Sequence, residues 1–384
     1  MAAKSRQEIE SRILVELEET PYAVSSLRAL SGGTANFVYD ATLKMPLPDG
    51  TREVLIKHGE DFSANAPHFK LTRLRCNIEE QCLKALSEFE FRIEGKAELP
   101  CDVSFVVRTP KLYHYDEQHN TQIHEFLRNS KDLKTYALDR YGADTSEDAR
   151  SQCRQLGRAL GGWLRGFHAR SATQTGLRET VARNTAMQQL KNTINYSWLL
   201  DRVAQFPSVL GEAMNVFEEV KAMAAKELED RSKLQVIHGD FWTGNILLSN
   251  TAIQKGSTVP LFVIDWEMSQ MGVPSLDLGQ MIAELYELKL YKNITAGLWI
   301  AQGFVLGYER FKNDDDDDDD DEFAFRTAIQ VGVHLLSFGT SVEGWGTPEQ
   351  VEMVARTGRD IIIHAWKRDR KWFEGGNLAF LFER

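Results

Sequence analysis

The segment His238-Gly239-Asp240-Phe241-Trp242-Thr243-Gly244-Asn245 runs straight into the apolar stretch Ile246-Leu247-Leu248. An aspartate in such a loop can take the proton of a hydroxyl, and an asparagine five positions on can turn back to hold a metal beside it. Further along, Phe262-Val263-Ile264 leads to Asp265-Trp266-Glu267. This reads as an apolar strand ending in two carboxylates. If strand geometry persists to Glu267, both point to one side. Paired oxygens of this kind suit Mg²⁺, a hard cation that bridges phosphates. Upstream, Lys57 closes the strand VLIK on the face of Leu55, not of Ile56. A buried lysine needs a counter-charge, and Glu79 in the helical stretch that follows is the candidate. Ser31-Gly32-Gly33-Thr34 precedes the strand around Phe37 to Tyr39. Glycines without Cβ atoms let backbone N–H groups approach a phosphate. Singly, the glycines read equally as a hairpin turn and Lys57 as an edge lysine reaching solvent. Together and in this order they are the parts needed to move a phosphoryl group from a nucleotide, through a loose and charge-rich transition state.

The elements that must position these residues fall into two regions. TANFVYDATLKM and REVLIKHG are alternating or β-branched runs parted by the turn PLPDG. FKLTRLRCNIEEQCLKALSEF reads as a helix, and PCDVSFVVRTPKLYHYD and NTQIHEFL as further strands. Ile9, Ile13, Leu14 and Leu17 predict a surface helix near the start. The order is β, β, α, β, β, with antiparallel hairpins in place of βαβ alternation. From about residue 130 helices dominate, interrupted by the β-like island that carries Asp240 and Asp265. Trp163 and Phe167 read as core, and His334 as a core histidine with its bonds satisfied.

The chain has 384 residues and a formal charge of −11. Nine of those charges belong to Asp314–Asp321 and Glu322, which predicts a solvated, disordered acidic loop over 313–322. The remainder is near neutral, and no basic stripe marks a nucleic-acid footprint. No apolar run reaches the ~18 residues of a membrane span. The N-terminus lacks the apolar core of a signal peptide. Cys76, Cys82, Cys101 and Cys153 form no CxxC and flank no histidine at ligand spacing, which predicts reduced, mostly buried thiols. A cytoplasmic protein is the expectation.

HGDFWTGNIL and VIDWE resemble the signature of the aminoglycoside phosphotransferase and choline kinase family, the kinase-like small-molecule phosphotransferases. LSGGTANFVY, LIKH, LGRALGGWLRGFHA and VIDWEMSQMGVPSLDLGQMIAEL are similar to fungal members allied to methylthioribose kinase and to the psilocybin-pathway kinase of mushrooms, as is GWGTPEQVEM. The resemblance spans residues ~30 to ~360. It implies an α+β, protein-kinase-like fold: an N-lobe over 1–127 with an antiparallel sheet and one helix, binding nucleotide, and a larger helical C-lobe over 128–384. It implies ATP- and Mg²⁺-dependent phosphorylation of a hydroxyl on a small metabolite. By position, Asp240 matches the catalytic base, Asn245, Asp265 and Glu267 the metal ligands, and Lys57 with Glu79 the phosphate-holding pair. Gly32 and Gly33 match the phosphate loop. Ile123 to Leu127, with Glu125 and Leu127 at its end, matches the segment whose backbone meets adenine. Asp277 resembles the aspartate that anchors the catalytic loop. Gly239 stands where protein kinases carry an arginine, and no A-P-E follows, so a protein acceptor is disfavoured. Aminoglycoside- or fructosamine-type kinases and a nucleotide-binding scaffold remain alternatives. Trp242 and Trp345, with Glu343, suggest an amine-bearing or aromatic acceptor.

The acidic run carries no apolar residue to dock. Replacing its eight aspartates with a Gly/Ser linker is expected to raise the isoelectric point and leave kcat/KM nearly intact. A large loss of activity would show that the run binds metal or substrate.

Overall fold

A computed structural model describes residues 6–31, 33–94, 102–142, 144–309 and 320–383, the side chains of 309 and 320 excepted. In chain order the strands are β1 (Val24–Ala29), β2 (Phe37–Leu43), β3 (Glu53–His58), β4 (Phe91–Ile93), β5 (Ser104–Arg108), β6 (Leu112–Asp116), β7 (Thr121–Glu125), β8 (Ser130–Asp132), β9 (Gln235–Ile237), β10 (Ile246–Ser249), β11 (Thr258–Val263) and β12 (Gln270–Gly272). The chain divides into two compact units. One holds the residues up to Phe89 with Thr109–Arg128 and Asp265–Glu267, and the other holds Glu90–Arg108, Asn129–Ile264 and Met268–Arg384.

The first unit is built on an antiparallel sheet of order β1-β2-β3-β7-β6. Alternation in β2 and β3 sends Phe37, Tyr39, Ala41 and Leu43, with Val54 and Ile56, to one face. There they pack with Ile9, Ile13 and Leu17 of the helix Arg6–Leu17, while Leu14 is exposed. Each fully buried aliphatic or aromatic side chain of this kind contributes about 1.5–3 kcal/mol. Period-two alternation leaves Lys57 on the opposite face. β1 escapes sequence reading because Val24 is its only buried residue, so it lacks an apolar pattern.

The second unit carries a sheet of order β4-β5-β11-β10-β8 and the pair β9–β12. β5 pairs in parallel with β11, from Ser104↔Thr258 to Arg108↔Phe262. Those ladder bonds draw residues 90–108 away from the N-terminal sheet, so the compact units do not follow a single cut at 127/128. The helix Ser275–Lys292 is buried at every residue from Ser275 to Leu288, the mark of a central helix. Trp163 and Phe167 are fully buried. The helix Asp320–His334 begins inside the acidic run, which corrects the expectation of a loop through residue 322. Asp321 pairs with Arg370 at 3.0 Å and Glu322 with Arg368. Acidic residues also suit the positive end of a helix dipole. The preceding part of the run, 314–319, lies outside the described residues. Cys76, Cys82 and Cys153 are buried, and Cys101 lies outside the described residues. No helix among the described residues is long and apolar enough to cross a membrane.

The helices Glu147–Ala172 and Ala296–Glu309 meet backbone to backbone. A Cβ on Gly157 would collide with the Ile300 carbonyl, one on Gly161 with that of Phe304, and ones on Gly303 and Gly307 with those of Arg154 and Arg158. Overpacking such a seam costs typically 1–3 kcal/mol and more against backbone. Gly161→Val is expected to lower the melting temperature by roughly 5–10 °C. A melt within 1 °C of wild type would show that the seam yields freely.

Candidate active site

In the first unit, Lys57 Nζ lies 2.7 Å from Glu79 Oε2 and 2.6 Å from Asp265 Oδ1. Burial disfavours its charge, yet Asp265, Glu79 and Glu267 outweigh that and hold its pKa well above the ordinary lysine value. Glu79 is 2% exposed, and its Oε1 also accepts the Trp266 N–H at 3.2 Å. Burial, with Asp265 and Glu267 nearby, pushes it up to about 7 against the pull of Lys57. Glu79, Asp265 and Glu267 each bring a carboxylate oxygen within 4.8 Å of the others.

This convergence does not arise from strand geometry, as the sequence led us to expect. β11 ends at Val263, Asp265 takes a left-handed φ of +66°, and Trp266–Met268 is a 3₁₀ turn. A non-glycine residue in that region costs about 1–3 kcal/mol and persists only where its surroundings fix it. Here the Lys57 ammonium grips Asp265. Glu267 is buried and accepts from Arg75 Nε at 3.1 Å and Asn36 Nδ2 at 2.5 Å. Arg75, fully buried, also donates to Asn36 Oδ1, Glu60 O and Thr72 O, each at 2.8 Å. Neither Arg75 nor Asn36 announces itself in the sequence. Arg75 sits in an ordinary amphipathic helix and only the fold brings it to Glu267. Three carboxylates therefore face two cations, with an oxygen-only donor set that fits a hard divalent ion. The Asp265 side chain is 38% exposed, against 2% for Glu79 and 6% for Glu267, so Asp265 is the carboxylate a ligand can reach.

Other expected nucleotide contacts are placed as follows. The Gly33 carbonyl accepts from Asn65 Nδ2 at 3.0 Å, and Gly32 lies outside the described residues. Glu125 ends β7 and its carboxylate accepts the Lys111 N–H at 3.0 Å, with Leu127 two residues beyond.

In the second unit the loop between β9 and β10 carries Asp240. Gly239 has φ +79°, which a side chain disfavours, and a Cβ there would strike the Met268 carbonyl, so the space does not admit the arginine of protein kinases. Asp277, 1% exposed in the first turn of Ser275–Lys292, accepts the His238 N–H at 2.8 Å, the Gly239 N–H at 2.9 Å and His168 Nε2 at 3.1 Å. Burial alone would raise its pKa; the bonds from His168 and the loop bring it below the usual value. The Asp240 N–H donates to His238 Nδ1 at 3.2 Å. That leaves Nε2 to carry the ring proton and donate to the Ile264 carbonyl at 3.0 Å.

The Asp240 carboxylate is oriented atom by atom. Oδ1 accepts from Gln280 Nε2 at 2.7 Å and from Lys191 Nζ at 3.5 Å, and Lys191 also donates to Gln280 Oε1 at 2.6 Å. Oδ2 accepts from Asn245 Nδ2 at 3.2 Å, and the same nitrogen reaches the Asp240 carbonyl at 2.9 Å. Sequence reading missed Gln280 and Lys191. Gln280 had a signal, one helical turn after Asp277 on the same helix. Lys191 had none, since its helix Thr185–Asn192 is distant in sequence. The Trp242 and Trp345 ring faces are already met by Lys134, at 5.6 and 4.6 Å, and Glu343 is exposed. His334 bonds Glu284 through Nε2 at 2.8 Å while its Nδ1 is buried without a partner, so it is half satisfied.

Residues 84–312 match the family described as "Phosphotransferase enzyme family". A phosphotransferase, FrzJ, of Cladobotryum sp is 29% identical over 371 residues, covering 94% of this chain and 93% of that protein. A 4-hydroxytryptamine kinase of Psilocybe cubensis is 22% identical, covering 85% of this chain and 83% of its own. Among solved structures, an amicoumacin kinase bound to AMP-PNP, Ca²⁺ and its antibiotic superposes with TM-score 0.52 at 11% identity, over 94% of this chain and 96% of that one. A choline kinase of Cryptosporidium parvum gives 0.50 at 10%, over 97% and 100%. These two likenesses show the protein-kinase-like α+β fold.

A hydrogen bond to a charged group is worth about 1.5–3 kcal/mol. Gln280→Leu and Lys191→Met are each expected to lower kcat by ~10–100-fold, with KM for nucleotide within about threefold of wild type. Unchanged kcat in both variants would show that the Asp240 carboxylate needs neither clamp.

Proposed function

As the chain belongs to the phosphotransferase enzyme family, we propose that Asp240 is the base through which it transfers the γ-phosphoryl of ATP to a hydroxyl of a small metabolite. It is a small-molecule kinase, with ATP as donor. The acceptor oxygen attacks the γ-phosphorus, the bond to the β–γ bridging oxygen breaks, and the hydroxyl proton passes to Asp240. The products are ADP, a phosphomonoester and a proton. The observation that carries this reading is the restraint of Asp240. Gln280 and Lys191 engage Oδ1 and Asn245 engages Oδ2, so the carboxylate is held in one plane. Orientation of this kind is a large part of what a phosphoryl-transfer enzyme supplies.

Mg²⁺ is the metal this donor set suits, with Asp265 the principal ligand and Glu267 contributing, and its charge would offset that of the phosphates when bound. Lys57, kept cationic by Glu79 and Asp265, supplies the positive charge for the α- and β-phosphates. The backbone at Gly33 would meet phosphate oxygens. The segment Glu125 to Leu127 meets adenine. The acceptor is a small alcohol or phenol, amine-bearing or aromatic, and Trp242, two residues from the base, favours the ring.

Asp240→Asn is expected to lower kcat by ~10²–10⁴, the range for loss of a general base, while nucleotide affinity stays within a few-fold. Near-normal ADP release with a responsive alcohol would overturn the assignment. Asp265→Ala is expected to weaken Mg·ATP binding in calorimetry as well as turnover. Unchanged binding would remove Asp265 from the metal site.

A further inference from the structure

Beside the catalytic loop lies a group of buried charges that the reaction above does not use. Glu284 and Glu287 sit one helical turn apart on the central helix Ser275–Lys292, 5% and 1% exposed. Lys134, in the first turn of the helix Leu133–Arg140, places its ammonium against Glu284 and 3.5 Å from Glu287 Oε2. The same ammonium lies 4.6 Å from the centre of the Trp345 ring and 5.6 Å from that of Trp242. Tyr291 stacks on Trp345 at 5.7 Å, and the Lys292 ammonium lies 5.1 Å from the centre of the same ring. Thr243, inside the catalytic loop, reaches Glu284 Oε2 at 3.5 Å.

Two carboxyl groups and two indole rings around the Lys134 ammonium are what a protein needs to bind a primary amine out of water. The group is also one cation short. Two buried carboxyls share one lysine, and Glu287 Oε1 and His334 Nδ1 are buried without a partner. Burial and the adjoining Glu284 push Glu287 up to about 8, so the missing cation is made good by a proton. Lys134 stays charged, because Glu284 and Glu287 outweigh its burial.

We propose that this cage is an ammonium-binding site permanently filled by Lys134, and that Lys134 thereby sets acceptor specificity, giving the wall at Trp242 to neutral, aromatic groups and closing it to cationic ones. The specificity part rests on the reading that Asp240 is the base, since it takes Trp242 as part of the acceptor wall; the cage itself does not. A second ammonium against Trp242 would meet the charge of Lys134, 5.6 Å from that ring's centre, at close range. An acceptor that carries an amine must therefore hold it elsewhere.

Lys134→Ala removes three methylenes and the ammonium, and n-propylammonium is the matching probe. The variant is expected to melt about 5 °C or more below wild type. Millimolar n-propylammonium is expected to raise its melting temperature by about 2–4 °C, while 1-propanol and sodium at equal concentration do not. Wild type is expected to show no rise. Should Lys134→Ala fail to fold, Lys134→Ala/Glu287→Gln, which removes a carboxyl with the ammonium, is expected to show the same selective rise. A rise in wild type equal to the variant's, or none in either variant, overturns the proposal. With phenolic acceptors, the ratio of kcat/KM for tyramine over 4-propylphenol is expected to rise at least tenfold in Lys134→Ala; an unchanged ratio overturns the specificity claim. The melting arm needs no turnover, so failure of Asp240 as base would not be mistaken for failure of the cage.

Discussion

The buried carboxylate of Asp277 is the constraint on which the catalytic loop depends. It is 1% exposed and its charge is met by two loop N–H groups and His168. A buried anion without such donors costs several kcal/mol, so the loop and the central helix hold each other in one arrangement. The loop must then pack residue 239 against the Met268 carbonyl, where only glycine fits, and the Asp240 carboxylate that follows meets the donors of Gln280, Lys191 and Asn245. Helix, loop and carboxylate orientation form one chain of cause. The first link is an electrostatic requirement, and the last is a carboxylate held in one orientation.

The other unit solves a similar problem with more charges. Lys57, Glu79 and Asp265 form one group, and Arg75, Asn36 and Glu267 a second. Together they hold a left-handed Asp265 at the end of an apolar strand, and the strain is offset by the contacts of the lysine. The most exposed carboxylate is also the one in the strained conformation. That is the usual association of backbone strain with ligand-binding positions.

Much of this was legible in the residues alone. Residues spaced along single elements, such as Asp240 with Asn245 or the alternation that turns Lys57 away from the core, are local facts and a sequence carries them. The pairing of β5 with β11 was not legible, because a parallel ladder joins segments some 150 residues apart and leaves no local pattern. Arg75, Lys191 and Lys134 were missed for the same reason: each is an ordinary charged residue on a helix until the fold brings its carboxylate partners. The D-x-E segment shows a third case. Its carboxylates converge as expected, but through a turn, because the side-chain contacts of Lys57 and Arg75 override the strand's period. Trp345 and Glu343 mark the limit. Proximity in sequence suggested an amine held between them, whereas the tryptophan faces a lysine of the same chain and the glutamate faces solvent.

The central claim is that Asp240 takes a proton while the acceptor oxygen attacks phosphorus directly. Stereochemistry at the transferred phosphorus tests it without reference to any variant. With ATP made chiral at the γ-phosphorus by oxygen isotopes, one direct in-line transfer gives a phosphomonoester of inverted configuration. Inversion is the result this account predicts. Net retention, which requires two displacements through a phosphorylated side chain, would make the carboxylate a nucleophile and contradict it.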